Sequence, residues 1–242
     1  MSAPENLTVF NGIDISRLVV VGDVERPVLA KRKLDTKQLP GAQGSHITAL
    51  GYETATIKLS CRLRSSRLRD VAATLHELAH VLQTDKPCRL ILPDDPARSY
   101  LAIYVGGDAF KSDLFKTKFS LTFQLADPVA YGAHYEKRIT AQEQVFFTNG
   151  TYQTRPIIRC VPNHTRYIKF RNKTTGEYVG IHANFDGTSE LVIDCTLERA
   201  TINGRDTQVD LDSDFFALNS NDILQKDGDV DSYVLEWEER FI

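Results

Sequence analysis

The chain has 242 residues, of which 42% are hydrophobic, 25% charged and 9% aromatic, with a formal net charge of −3. This composition is that of a globular protein, and the charge is too small to make a nucleic-acid-binding surface. No apolar run approaches the roughly 18–20 residues of a membrane-spanning helix. The first ten residues, MSAPENLTVF, lack a basic stretch followed by an apolar one, so no signal peptide is expected.

A chain of this length makes one large or two modest domains. Residues 1–135 hold 17 Lys and Arg against 14 Asp and Glu, net +3; residues 136–242 hold 12 against 18, net −6. The shift in charge favours two domains, 1–135 and 136–242, with residues 133–143 as the linker. Cys61, Cys88, Cys160 and Cys195 show no C-x-x-C spacing. Each sits in or beside an apolar strand-like run, as expected of small buried hydrophobes in a reducing compartment.

In chain order, residues 18–22 and 24–34 read as strands, the second ending in Lys31, Arg32 and Lys33. Residues 38–46, QLPGAQGSH, read as a loop because of Pro40-Gly41 and Gly44. Residues 47–64 return to strand. Ser65 or Ser66 is a candidate N-cap for a helix over 66–83, about five turns long. Its apolar stripe comprises Leu68, Val71, Ala72, Leu75, Leu78, Ala79 and Leu82. Strands follow at 88–92 and 100–105, with the polar turn Pro93-Asp94-Asp95-Pro96 between them.

The segment KFSLTFQLADPVAYG, 118–132, then alternates Phe119, Leu121, Phe123 and Leu125 on one face. Asp127-Pro128 is expected to end that strand, because proline lacks the ladder N–H. One helix among strands in a non-alternating order predicts an α+β first domain. The second half predicts short strands at 145–148, 156–161, 167–171, 178–182, 190–195, 200–202, 214–218 and 232–240. Asn149-Gly150, Asp186-Gly187, Asn203-Gly204 and Asp227-Gly228 lie between them as turn signals, and the pattern is that of an antiparallel sandwich.

His76-Glu77-Leu78-Ala79-His80 matches H-E-x-x-H, in which two histidines one helical turn apart hold zinc and the glutamate acts as base. Its surroundings do not complete a metalloprotease. Gln83 and Lys86 stand where the longer motif needs Gly and a third His, and no later helix offers another ligand. His76, Glu77 and His80 are therefore read as a solvated helix flank, and no catalytic residue, metal site or cofactor is assigned. The acidic runs at Asp210, Asp212 and Asp214 and at Asp227, Asp229 and Asp231 lack the Gly and Glu that complete an EF-hand. The four N-x-T triplets, beginning at Asn6, Asn149, Asn163 and Asn172, read as turn asparagines.

Several segments in order along the chain resemble one family. They are the Pro40-Gly41 loop after a basic strand, the helix, KPCRLILPDDPARSYLA and FSLTFQLADPVAYG. In the second half they are NGTYQTRPIIRC, TTGEYVGI, LVIDC, INGRD, SDFFAL and the terminal LEWEERFI. Together they are similar to the distal tail protein (Dit) family of long, non-contractile tailed bacteriophages. Residues 219–231 depart from it, being polar and acidic where the family often has an aromatic-rich loop.

The resemblance implies a mainly β protein. Its N-terminal domain would be β-barrel-like with a flanking helix, and its C-terminal domain a galectin-like sandwich. It also implies a homo-hexameric ring at the tail tip of the virion, assembled in the host cytoplasm. That ring would join tail-tube to tail-tip or baseplate proteins, leave a channel for DNA that is not read by sequence, and carry receptor-binding proteins. Lys31, Arg32, Lys33, Pro40 and Gly41 are the candidate ring contacts, set against a reading of the basic triple as a solvated strand end. A second reading is a carbohydrate-binding module for cell-wall glycan, with Tyr152, Tyr167, Tyr178, Phe185 and Tyr233 as stacking candidates and Trp237 placed in the core. A zinc metalloprotease is the third.

Overall fold

Alternation of apolar and polar residues, punctuated by turn residues, yields β-strands throughout and one helix. The computed structural model describes residues 7–38, 41, 43–64, 68–108, 110 and 118–242. Contacts divide the chain into Met1–Ala130 with Ile242, and Tyr131–Phe241.

The first unit contains β1 (Val9–Phe10), β2 (Ile13–Asp14), β3 (Val19–Glu25), β4 (Arg32–Gln38), β5 (Ser45–Tyr52) and β6 (Thr56–Leu63). The helix α1 (Leu68–Leu82) follows, then β7 (Cys88–Leu92), β8 (Asp95–Gly106) and the start of β9 (Lys118–Ile139). Hydrogen bonding orders the main sheet β2-β1-β7-β8-β9-β6-β3. The sheet curls. Phe10 of β1 and Phe123 of β9 stand three places apart in that order, which in a flat sheet is about 14 Å. Their rings lie 5.1 Å apart. The core so enclosed includes Ile57, Leu59, Leu90, Leu92 and Phe123, all fully buried.

The helix closes this core with Leu78, Val81 and Leu82, which are i, i+3 and i+4 neighbours, and with the half-buried Val71 and Leu75. Asp70 in its first turn and His80 in its last suit the helix dipole. The helix ends at Leu82 rather than residue 83, and the proposed caps Ser65 and Ser66 lie outside the described residues. Ala72 and Ala79, expected in the stripe, face solvent. A stripe centred on Leu78 takes in Val81 instead.

Asp127-Pro128 does not end β9, which runs on to Ile139. The proline is tolerated because β6 pairs with β9 only as far as Gln124, and Leu125 N then donates to Ala55 O, so Pro128 lies past the end of that ladder. The expected linker is correspondingly displaced, since residues 133–139 are strand. Residues 118–130 of β9 belong to the first unit and 131–139 to the second.

The second unit continues with β10 (Glu143–Val145), β11 (Ile157–Cys160), β12 (Tyr167–Asn172), β13 (Tyr178–His182) and β14 (Leu191–Asp194). It ends with β15 (Arg199–Ile202), β16 (Arg205–Thr207), β17 (Ile223–Asp227) and β18 (Tyr233–Phe241). One sheet is ordered β16-β15-β14-β11-β18-β9 and the other β10-β17-β12-β13. Ile158, Ile168, Phe170, Ile181, Ile193 and Tyr233 fill the space between them. Phe170 of one sheet meets Tyr233 of the other edge-on at 5.1 Å.

Two strands here escape the hydrophobic pattern. β16 follows Asn203-Gly204, whose positive φ values of 49° and 77° make the tight hairpin that this pair signals. β17, ILQKD, lies in the acidic stretch expected to be a loop. Its inward positions are Leu224 and a lysine, Lys226, whose Nζ donates to the carbonyls of Val230 and Asp231 at 2.6 and 2.9 Å. Residues 214–218, expected as a strand, contribute only the bridge Thr154↔Leu218. Asn149-Gly150 makes no hairpin. A Cβ on Gly150 would stand 2.7 Å from Arg240 O, so this glycine serves close backbone approach.

Candidate assembly surface

In the first unit β4 and β5 form a two-stranded sheet of their own. Every residue of the pair is exposed except Asp35 and Tyr52, which are half-buried. The ribbon is two-sided. Asp35, Lys37, His46 and Thr48 share one face, where Lys37 Nζ lies 3.7 Å from Asp35 Oδ2. Leu34, Thr36, Ile47 and Ala49 share the other. Leu34 is 52% and Ile47 59% exposed. An isolated hairpin is marginal in water, and an apolar side without cover marks an interaction surface. The root is anchored where Ala30 and Ala55 are buried and Tyr52 packs against the core.

The residues singled out from sequence lie at the two ends of this ribbon. At the root, Lys31 Nζ meets Glu53 Oε2 at 3.2 Å and the Arg32 guanidinium lies 5.5 Å from the Tyr52 ring centroid. Lys33 has no ion-pair or ring partner among the described residues and is the uncommitted cation of the three. Gly41, with φ +81°, lies in the connection between the strands, and Pro40 lies outside the described residues. Sequence reasoning missed the middle of the ribbon, Leu34 and Ile47. The signal was present in SHITALGY, but residues 47–64 read as one strand and hid the break at 53–55.

His76, Glu77 and His80 are exposed on α1. Glu77 Oε1 accepts a hydrogen bond from Arg17 NH2 at 2.8 Å, so the carboxylate is engaged in an ion pair at the surface. Among the described residues no three His, Cys, Asp or Glu side chains converge as metal ligands. The acidic runs of the second unit act as hydrogen-bond acceptors. Asp229 and Asp231 receive Asn163 Nδ2 at 3.0 and 3.1 Å, and Asp210 receives the Tyr167 hydroxyl at 3.0 Å.

The aromatic residues considered for glycan stacking separate clearly. Phe185 and Tyr233 are buried in the sandwich core. Tyr152 has the Arg240 guanidinium over it at 5.3 Å, and Tyr178 has Lys169 Nζ over it at 4.1 Å. Tyr167 stacks against His182 at 4.4 Å. Trp237, expected in the core, is partly buried and packs against it, and it also lines a surface cleft.

Residues 13–125 match the family described as the phage tail protein RIFT-related domain, and residues 149–241 match the siphovirus-type tail component, C-terminal domain. The chain is 22% identical to the distal tail protein of Bacillus phage SPP1 over 230 residues, which cover 93% of this chain and 88% of that protein. Its fold superposes on the crystal structure of the SPP1 Dit protein with a TM-score of 0.84 at 19% identity, covering 98% and 99% of the two chains. That protein is described as a paradigm of the hub adsorption apparatus in phages infecting Gram-positive bacteria. A chain of the phage P2 baseplate in its activated conformation with calcium superposes at a TM-score of 0.51 and 8% identity, over 94% and 92% of the chains.

Proposed function

We propose, on the premise that this chain belongs to the distal tail protein family of siphovirus-type tails, that its copies close into a hexameric ring. Its role is that of the family: a structural, non-enzymatic component of the phage tail hub, carried in the virion tail. The observation that supports ring closure is the β4–β5 ribbon, whose apolar side has no cover among the described residues of its own unit. A closed ring needs a surface on each copy that complements a different surface on the next. A ribbon that extends Leu34 and Ile47 away from its own core supplies one half of such a contact. Lys33 adds a charge that suits an acidic neighbour.

In this reading Met1–Ala130 makes the ring and Tyr131–Phe241 presents the sandwich to tail-tip, baseplate or receptor-binding proteins. The near-balanced charge of the first 135 residues, net +3, suits a channel through which DNA must slide without being held. The number six rests on the family resemblance. Negative-stain class averages of the purified protein test the reading: a six-fold ring with a central hole is expected, and particles that remain single globules at every concentration contradict it.

A further inference from the structure

A cleft of about 330 Å³ opens on the second unit beside the last strand. Its size is at the small end of ligand clefts, roughly 300–1,000 Å³. One wall is aromatic. Tyr135 and Trp237 stack at 5.4 Å with only 20° between their planes, and Phe146 braces Trp237 edge-on at 5.1 Å. Phe147 lines the same cleft and is 64% exposed. The Trp237 indole N–H is buried with no acceptor among the described residues. A core tryptophan normally finds one, so this ring is held in place at a cost.

The opposite chemistry is polar and built. Glu239 is only 7% exposed. Its Oε1 accepts from both Asn149 N at 3.2 Å and Asn149 Nδ2 at 3.0 Å, while Oε2 has no hydrogen-bond partner among the described residues. No cation among the described residues pairs with this buried carboxylate. The hydroxyls of Ser220 and Thr148 complete the lining.

We propose that this cleft binds a neutral pyranose ring of a glycan. A pyranose presents C–H groups on its faces, which pack on aromatic rings, and hydroxyls on its rim, which donate to a carboxylate and accept from an amide. The alternatives fit less of the site. An anionic sugar or a phosphate would meet Glu239 in a unit that carries 12 Lys and Arg against 18 Asp and Glu. A purely apolar side chain would desolvate Glu239 Oε2 without replacing its water. An ammonium or guanidinium would satisfy Glu239 but, being a donor only, would leave the Ser220 and Thr148 protons unused.

The chain contains one tryptophan, Trp237, so its emission reports on this cleft alone. The full-length protein is titrated with methyl α-glucopyranoside, methyl β-galactopyranoside and methyl N-acetyl-β-glucosaminide, with glycerol 3-phosphate and N-acetylargininamide as contrasting probes. A saturable emission change is expected with at least one pyranoside and with neither contrasting probe. It should weaken roughly tenfold or more in Glu239→Gln, which removes a charge-assisted hydrogen bond, and in Phe147→Ala. Phe147 is exposed, so that variant keeps the fold, and far-ultraviolet circular dichroism checks Glu239→Gln. No response to any pyranoside, a response undiminished in either folded variant, or a response to argininamide alone overturns the proposal. The readout follows one indole and is indifferent to oligomeric state, so its failure leaves the ring proposal standing, and the reverse holds.

Discussion

The β4–β5 ribbon and the β12–β13 pair are built alike and treated oppositely. Both are antiparallel ribbons with apolar residues on one side and polar residues on the other. In β12–β13 the apolar side, Ile168, Phe170, Val179 and Ile181, is completely buried under the facing sheet. In β4–β5 the equivalent side, Leu34 and Ile47, is more than half exposed. The same alternation therefore encodes a core in one place and an uncovered surface in the other. What separates them is whether the described residues supply a covering layer: the facing sheet does for β12–β13, and nothing described does for β4–β5.

The largest effect is expected where the cover is complete. Phe170→Ala should cost about 3–5 kcal/mol, seen as a lower denaturation midpoint, because it empties a site between two sheets. A small change there would mean that the sandwich is not closed over β12. Asn172→Ala should cost about 1–3 kcal/mol in the same measurement. Asn172 Nδ2 donates to Ala217 O and to Asp222 Oδ2 at 3.1 and 2.9 Å, and Asp222 is itself buried.

The thiols give a subtler contrast. Burial pushes Cys61, Cys160 and Cys195 up to about 12, from an ordinary value of 9.0. Raised folded values mean that their contribution to stability is complete below pH 9.0 and is lost as pH climbs toward about 12, because the unfolded thiols ionise first. Stability should therefore decline over that alkaline window. At neutral pH the half-buried Cys88 should label with a thiol reagent well before the other three.

The smallest effect on folding belongs to the ribbon. Leu34→Asp with Ile47→Asp should move the monomer's stability by no more than about 0.5 kcal/mol per site, since both positions already face water. A large loss of stability would show that the ribbon is covered by its own chain.

Much of this was legible in the sequence. Turn chemistry marked Asn203-Gly204, the turn of the β15–β16 hairpin, though not β16 itself, and the apolar spacing around Leu78 located the helix. The residue pattern read as an α+β first domain and an antiparallel sandwich, and the resemblance implied the mainly β class that the structure has. The misreadings share a cause: local residue types were overridden by what stood opposite them. Pro128 passes through β9 because the β6 ladder has already ended at Gln124 and needs no N–H from it. Lys226 sits inward in β17 because two carbonyls receive its ammonium, and a buried lysine breaks the alternation that reveals a strand. Trp237 packs against the core as its alternation within β18 indicates, and the same sheet position also lines a cleft, which alternation does not reveal. Of the assembly surface, the basic root was visible and the apolar middle was not, because exposure is a property of the missing partner and not of the ribbon's own residues.

In the proposed ring the bare side of β4–β5 is the contact that joins copies of this chain. Light scattering coupled to size exclusion, comparing the unmodified protein with the Leu34→Asp, Ile47→Asp variant at matched melting temperature, tests it most directly. A hexamer is expected for the first and a monomer for the second. A variant that still assembles, or an unmodified protein that stays monomeric at all concentrations, would contradict it.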